Sequence, residues 1–156
     1  MPQLSAGILL YRRRAGALEV LLAHPGGPYW RSKDAGAWMI PKGGVEPGED
    51  ALAAALREFE EELGTRPDGA PWPLGRVRQA GGKWVEVFAL EGEFDPAAVR
   101  SMEFEMEWPP KSGRYERFPE IDRAAWFSLP EALEMMLRSQ LPLLDALQAR
   151  AGGGGA

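Results

Sequence analysis

Cysteine is absent from the chain and histidine occurs once, at His24. The first absence excludes disulfides and thiolate metal sites. The second excludes metal centres and acid–base pairs built from histidines. No stretch approaches the roughly 20 apolar residues of a membrane-spanning helix. The N-terminal segment carries its positive charge after its short apolar run, the reverse of a secretory signal. The chain is therefore expected to be soluble and cytoplasmic, with no membrane partner. Basic charge is also short: the formal net charge is −5 at pH 7, which excludes general nucleic-acid backbone binding. What is present is 156 residues, 45% of them hydrophobic, enough for one core. A single domain is expected over residues 1–150. The glycine-rich tail, residues 151–156, cannot pack and is expected to be disordered.

The chain is organised around residues 43–65. Leu52, Leu56, Phe59 and Leu63 recur at helical spacing and predict an apolar stripe. Pro47-Gly48 turns the chain into this helix, Glu49 and Asp50 suit its first turn, and Gly64 stands where a C′ glycine would stop it. Glu58, Glu61 and Glu62 share a different face, at i, i+3 and i+4. Like charges at those offsets cost a few tenths of a kcal/mol per pair, and the helix C-terminus disfavours them further. Arg57 can relieve part of this by reaching Glu60 or Glu61. A bound divalent cation would relieve the rest.

Gly43, Glu49, Arg57, Glu58, Phe59, Glu61, Glu62 and Gly64 fall on the pattern G-x5-E-x7-R-E-U-x-E-E-x-G-U, and so the segment resembles the Nudix box. Thr65 departs from it, standing where the family usually has a bulky aliphatic residue. The preceding Trp38-Met39-Ile40-Pro41-Lys42-Gly43 has a W-x-x-P-K-G form similar to the Nudix branch acting on dinucleoside polyphosphates and diphosphoinositol phosphates. That branch often carries a histidine where this chain has Gly44.

Taken in order, the apolar runs 6–11 and 18–23 predict two strands, with Arg12, Arg13 and Arg14 in a solvated loop between them. Loop residues after His24 include Tyr29 and Trp30, and a short strand leads into the box. Residues 74–79 and 83–90 predict a hairpin, with Trp84 read as core or as a base-stacking platform. Residues 102–108 alternate, with Met102, Phe104, Met106 and Trp108 on one face, suited to a core or a dimer interface. Glu103, Glu105 and Glu107 on the other face read as a charged edge or a second carboxylate bank. Residues 111–120 are expected to form a polar substrate loop. A strand at 124–127 follows, then a helix opened by a Ser128–Glu131 capping box and running to about Arg138, with Leu133, Met136 and Leu137 on its apolar side. A last helix is expected over 141–149.

The order β-β-β-α-β-β-β-β-α-α has no repeated βαβ unit, and predicts an α+β layered domain. The resemblance implies the Nudix fold, a mixed β-sheet sandwiched between helices. It further implies metal-dependent hydrolysis of a phosphoanhydride in a nucleoside diphosphate linked to another group, such as a nucleoside triphosphate or dinucleoside polyphosphate. Charge neutralisation there calls for Mg²⁺ or Mn²⁺ on oxygen donors. The expected metal ligands are Glu58, Glu62, Glu61 and the Gly43 carbonyl, with Glu61 as ligand or general base. The catalytic set is completed by Arg57, braced by Glu49, and by a glutamate outside the box, Glu120 or Glu116. Lys42 is expected to hold phosphate, and Trp38 and Tyr29 to contact the substrate. The partner is thus a small nucleotide, and the protein a monomer or homodimer. The competing reading is a catalytically silent nucleotide-binding regulatory module.

Overall fold

The computed structural model describes residues 4–79 and 81–152. Its centre is β1 (Leu4–Arg14), whose side chains are buried on both faces because both faces are covered. Leu9 and Tyr11 point into one cluster, shared with Val20 and Leu22 of β2 (Ala17–Pro25). Ile8 and Leu10 point into the other, shared with Leu21 and Ala23. This period-2 alternation of two apolar sets explains why both strands read as continuous hydrophobic runs.

Antiparallel pairing joins β1 to β2 and to β3 (Lys42–Gly44). On its other edge β1 runs parallel to β5 (Trp84–Glu91), which pairs with β4 (Trp72–Arg78). With β8 (Ile121–Ser128) beside β2, the order is β4-β5-β1-β2-β8, with β3 branching from β1. Helix α1 (Ala51–Leu63) covers one face through Phe59 and Leu63. Helices α2 (Leu129–Met135) and α3 (Pro142–Ala151) cover the other, through Ala132, Leu143, Leu144 and Leu147. The result is an α+β layered domain, with the mixed sheet between helices that the resemblance implies. A second, two-stranded sheet is formed by β6 (Glu103–Glu107) and β7 (Tyr115–Pro119).

The ends of α1 are fixed by its caps. Asp50 accepts the Ala53 N–H at 2.7 Å, and Gly64, at φ 93°, donates to the Glu60 carbonyl. Glu49 is not a first-turn residue; it turns toward Arg57. The buried line of α1 is Ala54, Ala55, Phe59 and Leu63, while Leu52 and Leu56 are only half-buried. Alanines let the helix lie close over β1, so the stripe is rotated from the one the large residues predict.

Several expectations are corrected. Arg12, Arg13 and Arg14 lie within β1, and the turn is Ala15-Gly16, both at positive φ, as a two-residue hairpin requires. Arg12 pairs with Glu19 at 2.8 Å and lies 4.0 Å over Trp126. Residues 111–120 are not one loop, because β7 pairs along β6. Trp84 is exposed, flanked by the Arg78 guanidinium. Helix α2 ends at Met135, and Leu133 faces solvent. Ala151 is buried as the last residue of α3. Residues 153–156, on which most of the tail expectation falls, lie outside the described residues. Among the described residues no helix is long and apolar enough to cross a membrane.

Candidate active site

Pairing of β3 with β1 carries Lys42, Gly43 and Gly44 against α1. Gly7 permits the approach, since a Cβ there would sit 2.6 Å from the Pro41 carbonyl oxygen. Gly43 permits the next one. A Cβ on it would overlap the Glu58 carboxyl group, so glycine at this position is a steric requirement of the site. The pocket formed here has a volume of about 350 Å³. Lys42 and Gly43 meet Glu58, Glu61 and Glu62 on one side, and Glu120 enters from the end of β7.

Arg57 organises the near wall. Its Nε and Nη2 donate to the two Glu49 oxygens at 2.9 and 3.0 Å, a bidentate pair. Nη2 also donates to the Gly44 carbonyl at 2.9 Å. Nη1 donates to Glu58 at 3.1 Å and to both Glu61 oxygens at 3.3 Å. One guanidinium thus ties the loop before α1 to two carboxylates on it. The Arg57 hydrogen bonds, followed by the Glu46 N–H, hold the Glu49 carboxyl down to about 2. Glu49 in turn holds Arg57 above its ordinary value.

Glu62 and Glu58 are perturbed upward. Burial, then the Glu58 charge, pushes Glu62 up to about 8, against the opposing pull of Lys42 and its backbone N–H. Burial, then Glu61, raises Glu58. Burial lowers the Lys42 ammonium, which Glu62 and Glu58 pull back. Crowded carboxylates with one half-buried lysine are short of positive charge.

Among the described residues, no group of three acidic or histidine side chains is gathered into a ready coordination sphere. Arg57 accounts for part of this, since it engages Glu58 and Glu61. The donor set still suits a hard divalent cation: it is all oxygen, crowded and undercompensated.

Of the expected substrate residues, Lys42 lines the pocket, and Tyr29 is 56% exposed on a neighbouring one that also reaches Glu120. Trp38 is corrected. It is a core residue, 4% exposed, whose Nε1 donates to Asp34 at 2.8 Å while its ring packs edge-on against His24 and Phe127. His24 is fully buried, with one ring nitrogen 2.9 Å from Asp122 and the other 2.6 Å from the Lys33 carbonyl. Between the two outer glutamates, the structure separates Glu120, on the pocket, from Glu116, which is exposed beside Met106 on the hairpin.

Met102 and Glu103 also line the pocket. Alternation along residues 102–108 put Glu103 on a charged face, but the pattern gave no sign that only this glutamate would reach the site. Glu107 instead accepts from the Lys111 and Gly113 N–H groups and closes the hairpin tip.

Comparison with known proteins adds an independent finding. The family model described as NUDIX domain matches residues 1–147. An RNA pyrophosphohydrolase of Gluconacetobacter diazotrophicus is 30% identical over 159 aligned positions, covering 83% of this chain and 84% of that protein. One of Erythrobacter litoralis is 45% identical over 77 residues, covering 42% of this chain and 45% of the relative, so that the match spans under half of that protein's length. A solved Ap4A hydrolase of C. elegans superposes with a TM-score of 0.67 at 24% identity, over 96% of this chain and 98% of that one; at this identity the likeness is one of fold.

Proposed function

The chain belongs to the NUDIX family, and we propose that it hydrolyses a phosphoanhydride bond in a nucleoside diphosphate linked to another group. The observation that carries this reading is the convergence of Glu58, Glu61, Glu62 and Glu120 with Lys42 in one pocket, the near wall being fixed by Arg57. Nucleoside triphosphates, dinucleoside polyphosphates and, by likeness to the named relatives, RNA 5′ ends are the substrate classes this chemistry admits.

Glu58, Glu61, Glu62 and the Gly43 carbonyl would hold Mg²⁺ or Mn²⁺, which when bound supplies neutralisation of the phosphoanhydride charge. Lys42 holds a phosphate oxygen through its ammonium, a point charge on a flexible stem. Arg57 positions Glu58 and Glu61 and tethers Gly44 above them. Glu61, 36% exposed at its side chain against 15% for Glu58, takes the proton of the attacking water at a carboxylate oxygen. Water adds to one phosphorus, and the bridging oxygen departs with the other phosphate. Glu120, which lines the same pocket, is the second candidate for the proton. The absence of cysteine fits a cytoplasmic enzyme, acting as a monomer or homodimer.

The test is product analysis with Mg²⁺ or Mn²⁺ on ATP, diadenosine tetraphosphate and a 5′-triphosphorylated oligonucleotide. Hydrolysis lost in Glu61→Gln and Glu62→Gln, and in chelator, is the expected result. Nucleotide binding without turnover would replace this reading with the silent regulatory module.

A further inference from the structure

His24 is the only histidine of the chain and has no part in the proposed reaction, yet it is fully buried with a polar partner on each side. Its Nδ1 lies 2.9 Å from the Asp122 carboxylate and its Nε2 lies 2.6 Å from the Lys33 carbonyl oxygen. Both partners are acceptors. A neutral imidazole has one N–H, so one of these contacts would set a ring lone pair against an oxygen lone pair. Two donors exist only in the imidazolium, and these separations are those of charge-assisted bonds. The charge is not stranded, because the Asp122 carboxylate faces it. The other charged groups around the ring are engaged elsewhere: Arg123 lies over Trp38 and 3.4 Å from Asp122, the Lys33 ammonium lies over Trp30, and Asp34 accepts from Trp38.

Asp122 is also the residue that breaks the pairing of β2 with β8. His24 stands opposite Arg123 and Pro25 opposite Ile121, so Asp122 is left over as a β-bulge. The effect shows in the core. Ile121 and Ala124, three positions apart, reach the same cluster under α1, which strict alternation forbids. The corner just before the bulge carries Glu120. Its carbonyl accepts the Gly26 N–H at 2.9 Å and its own N–H donates to the Met102 carbonyl at 2.8 Å. A Cβ on Gly26 would overlap the Pro119 carbonyl oxygen, so the corner is seated against this glycine.

We infer that His24 is a positioning residue: as an imidazolium bridging Asp122 and the Lys33 carbonyl, it locks the β8 bulge to the loop after β2 and so aims Glu120 into the carboxylate pocket. A ring with one proton could hold the bulge or the loop, and not both. The part of Glu120 in proton transfer rests on the hydrolase reading above; the clamp itself does not.

With a single histidine in the chain, the ring is read directly in long-range ¹H–¹⁵N correlation spectra of the intact protein. Both ring nitrogens are expected to carry a proton at pH 7, and a singly protonated ring overturns the inference. His24 is too buried to replace without cost to the fold, so the variant is Asp122→Ala, at a side chain 30% exposed. It is expected to speed exchange of the Gly26 amide about tenfold; unchanged exchange overturns the inference. Turnover is measured with Mg²⁺ on whichever of ATP, diadenosine tetraphosphate or a 5′-triphosphorylated oligonucleotide is hydrolysed. Asp122→Ala is expected to lower kcat about tenfold with little change in KM, and to lower it no further in a Glu120→Gln background, because a residue acting through Glu120 then has nothing left to place. An unchanged kcat, or the same loss in both backgrounds, overturns the inference. Absence of turnover in the wild type would sink the hydrolase reading, the ring protons and the Gly26 amide still deciding the clamp.

Discussion

Replacing Glu62 by Gln should make the metal-free protein more stable while abolishing hydrolysis. The Glu62 carboxyl is raised from 4.5 to about 8, first by burial and then by Glu58. The sign follows from proton uptake. Between those two values the folded state binds more protons than the unfolded chain, so stability falls as pH rises through this window. At about 1.4 kcal/mol per pH unit, the ionisable carboxyl costs about 3 kcal/mol at pH 7. Gln keeps a buried polar amide, whose burial without full hydrogen bonding costs about 1–3 kcal/mol. Part of the gain is thereby lost, and about 0–2 kcal/mol remains. Lys42 is not stranded by the change, because Glu58 still faces it. The assay is denaturant unfolding in chelator from pH 5 to pH 9, for both proteins. Wild type should weaken from pH 5 to about pH 8 and then level off, and the variant should show a flatter profile. A variant less stable than wild type at pH 7, or one with the wild-type pH slope, would refute the reasoning.

Gly43→Ala should displace the Glu58 carboxyl and lower kcat about 100-fold, with circular dichroism unchanged; near-normal kcat would mean that Glu58 can move without consequence. Arg57→Lys keeps the charge but loses the fork on Glu49 and the reach to Gly44, and kcat/KM should drop about 10–100-fold; activity within twofold would remove Arg57 from its positioning role. Ser128→Ala removes the α2 cap and should cost about 1 kcal/mol in unfolding experiments. Glu131, the other half of that box, has its carboxyl held below the usual range by the Ser128 backbone and side chain. Its contribution is present above the unfolded pKa and disappears as pH falls through the folded one. Wild type should therefore lose more stability on acidification than the Ser128 variant does.

The helix bearing the glutamates was legible because its signals are local: Asp50 and Gly64 cap it, and its glutamates repeat at i+3 and i+4. The sheet order was hidden, since the parallel pairing of β1 with β5 joins segments about 80 residues apart and leaves no mark on either. Strand β7 was read as a loop for a different reason. It is largely exposed and takes its register from backbone bonds to β6, so no buried face imprints a period on its sequence. Trp38 looked like a ligand contact because it opens the W-x-x-P-K-G segment that leads into the box. Its true partners, Asp34, His24 and Phe127, come together only in the folded chain. The steric role of Gly43 was equally invisible, because the Glu58 carboxyl that excludes a Cβ lies 15 positions further on.

The branching of the sheet at β1 gives the two walls of the groove unequal stiffness. Ser5, Ala6 and Gly7 hydrogen-bond β3 on one edge and β5 on the other, so Lys42 and Gly43 cannot shift unless the keel of the domain breaks. Among the described residues the β6–β7 hairpin pairs along its length only with itself, and is moored at its base by bonds from Met102 to Glu61 and from Gly26 to Glu120. Chemistry sits on the unyielding wall and choice of partner on the compliant one. A lineage could therefore exchange one substrate for another by rewriting residues 104–119, leaving Glu120 and the rest of the reacting centre untouched.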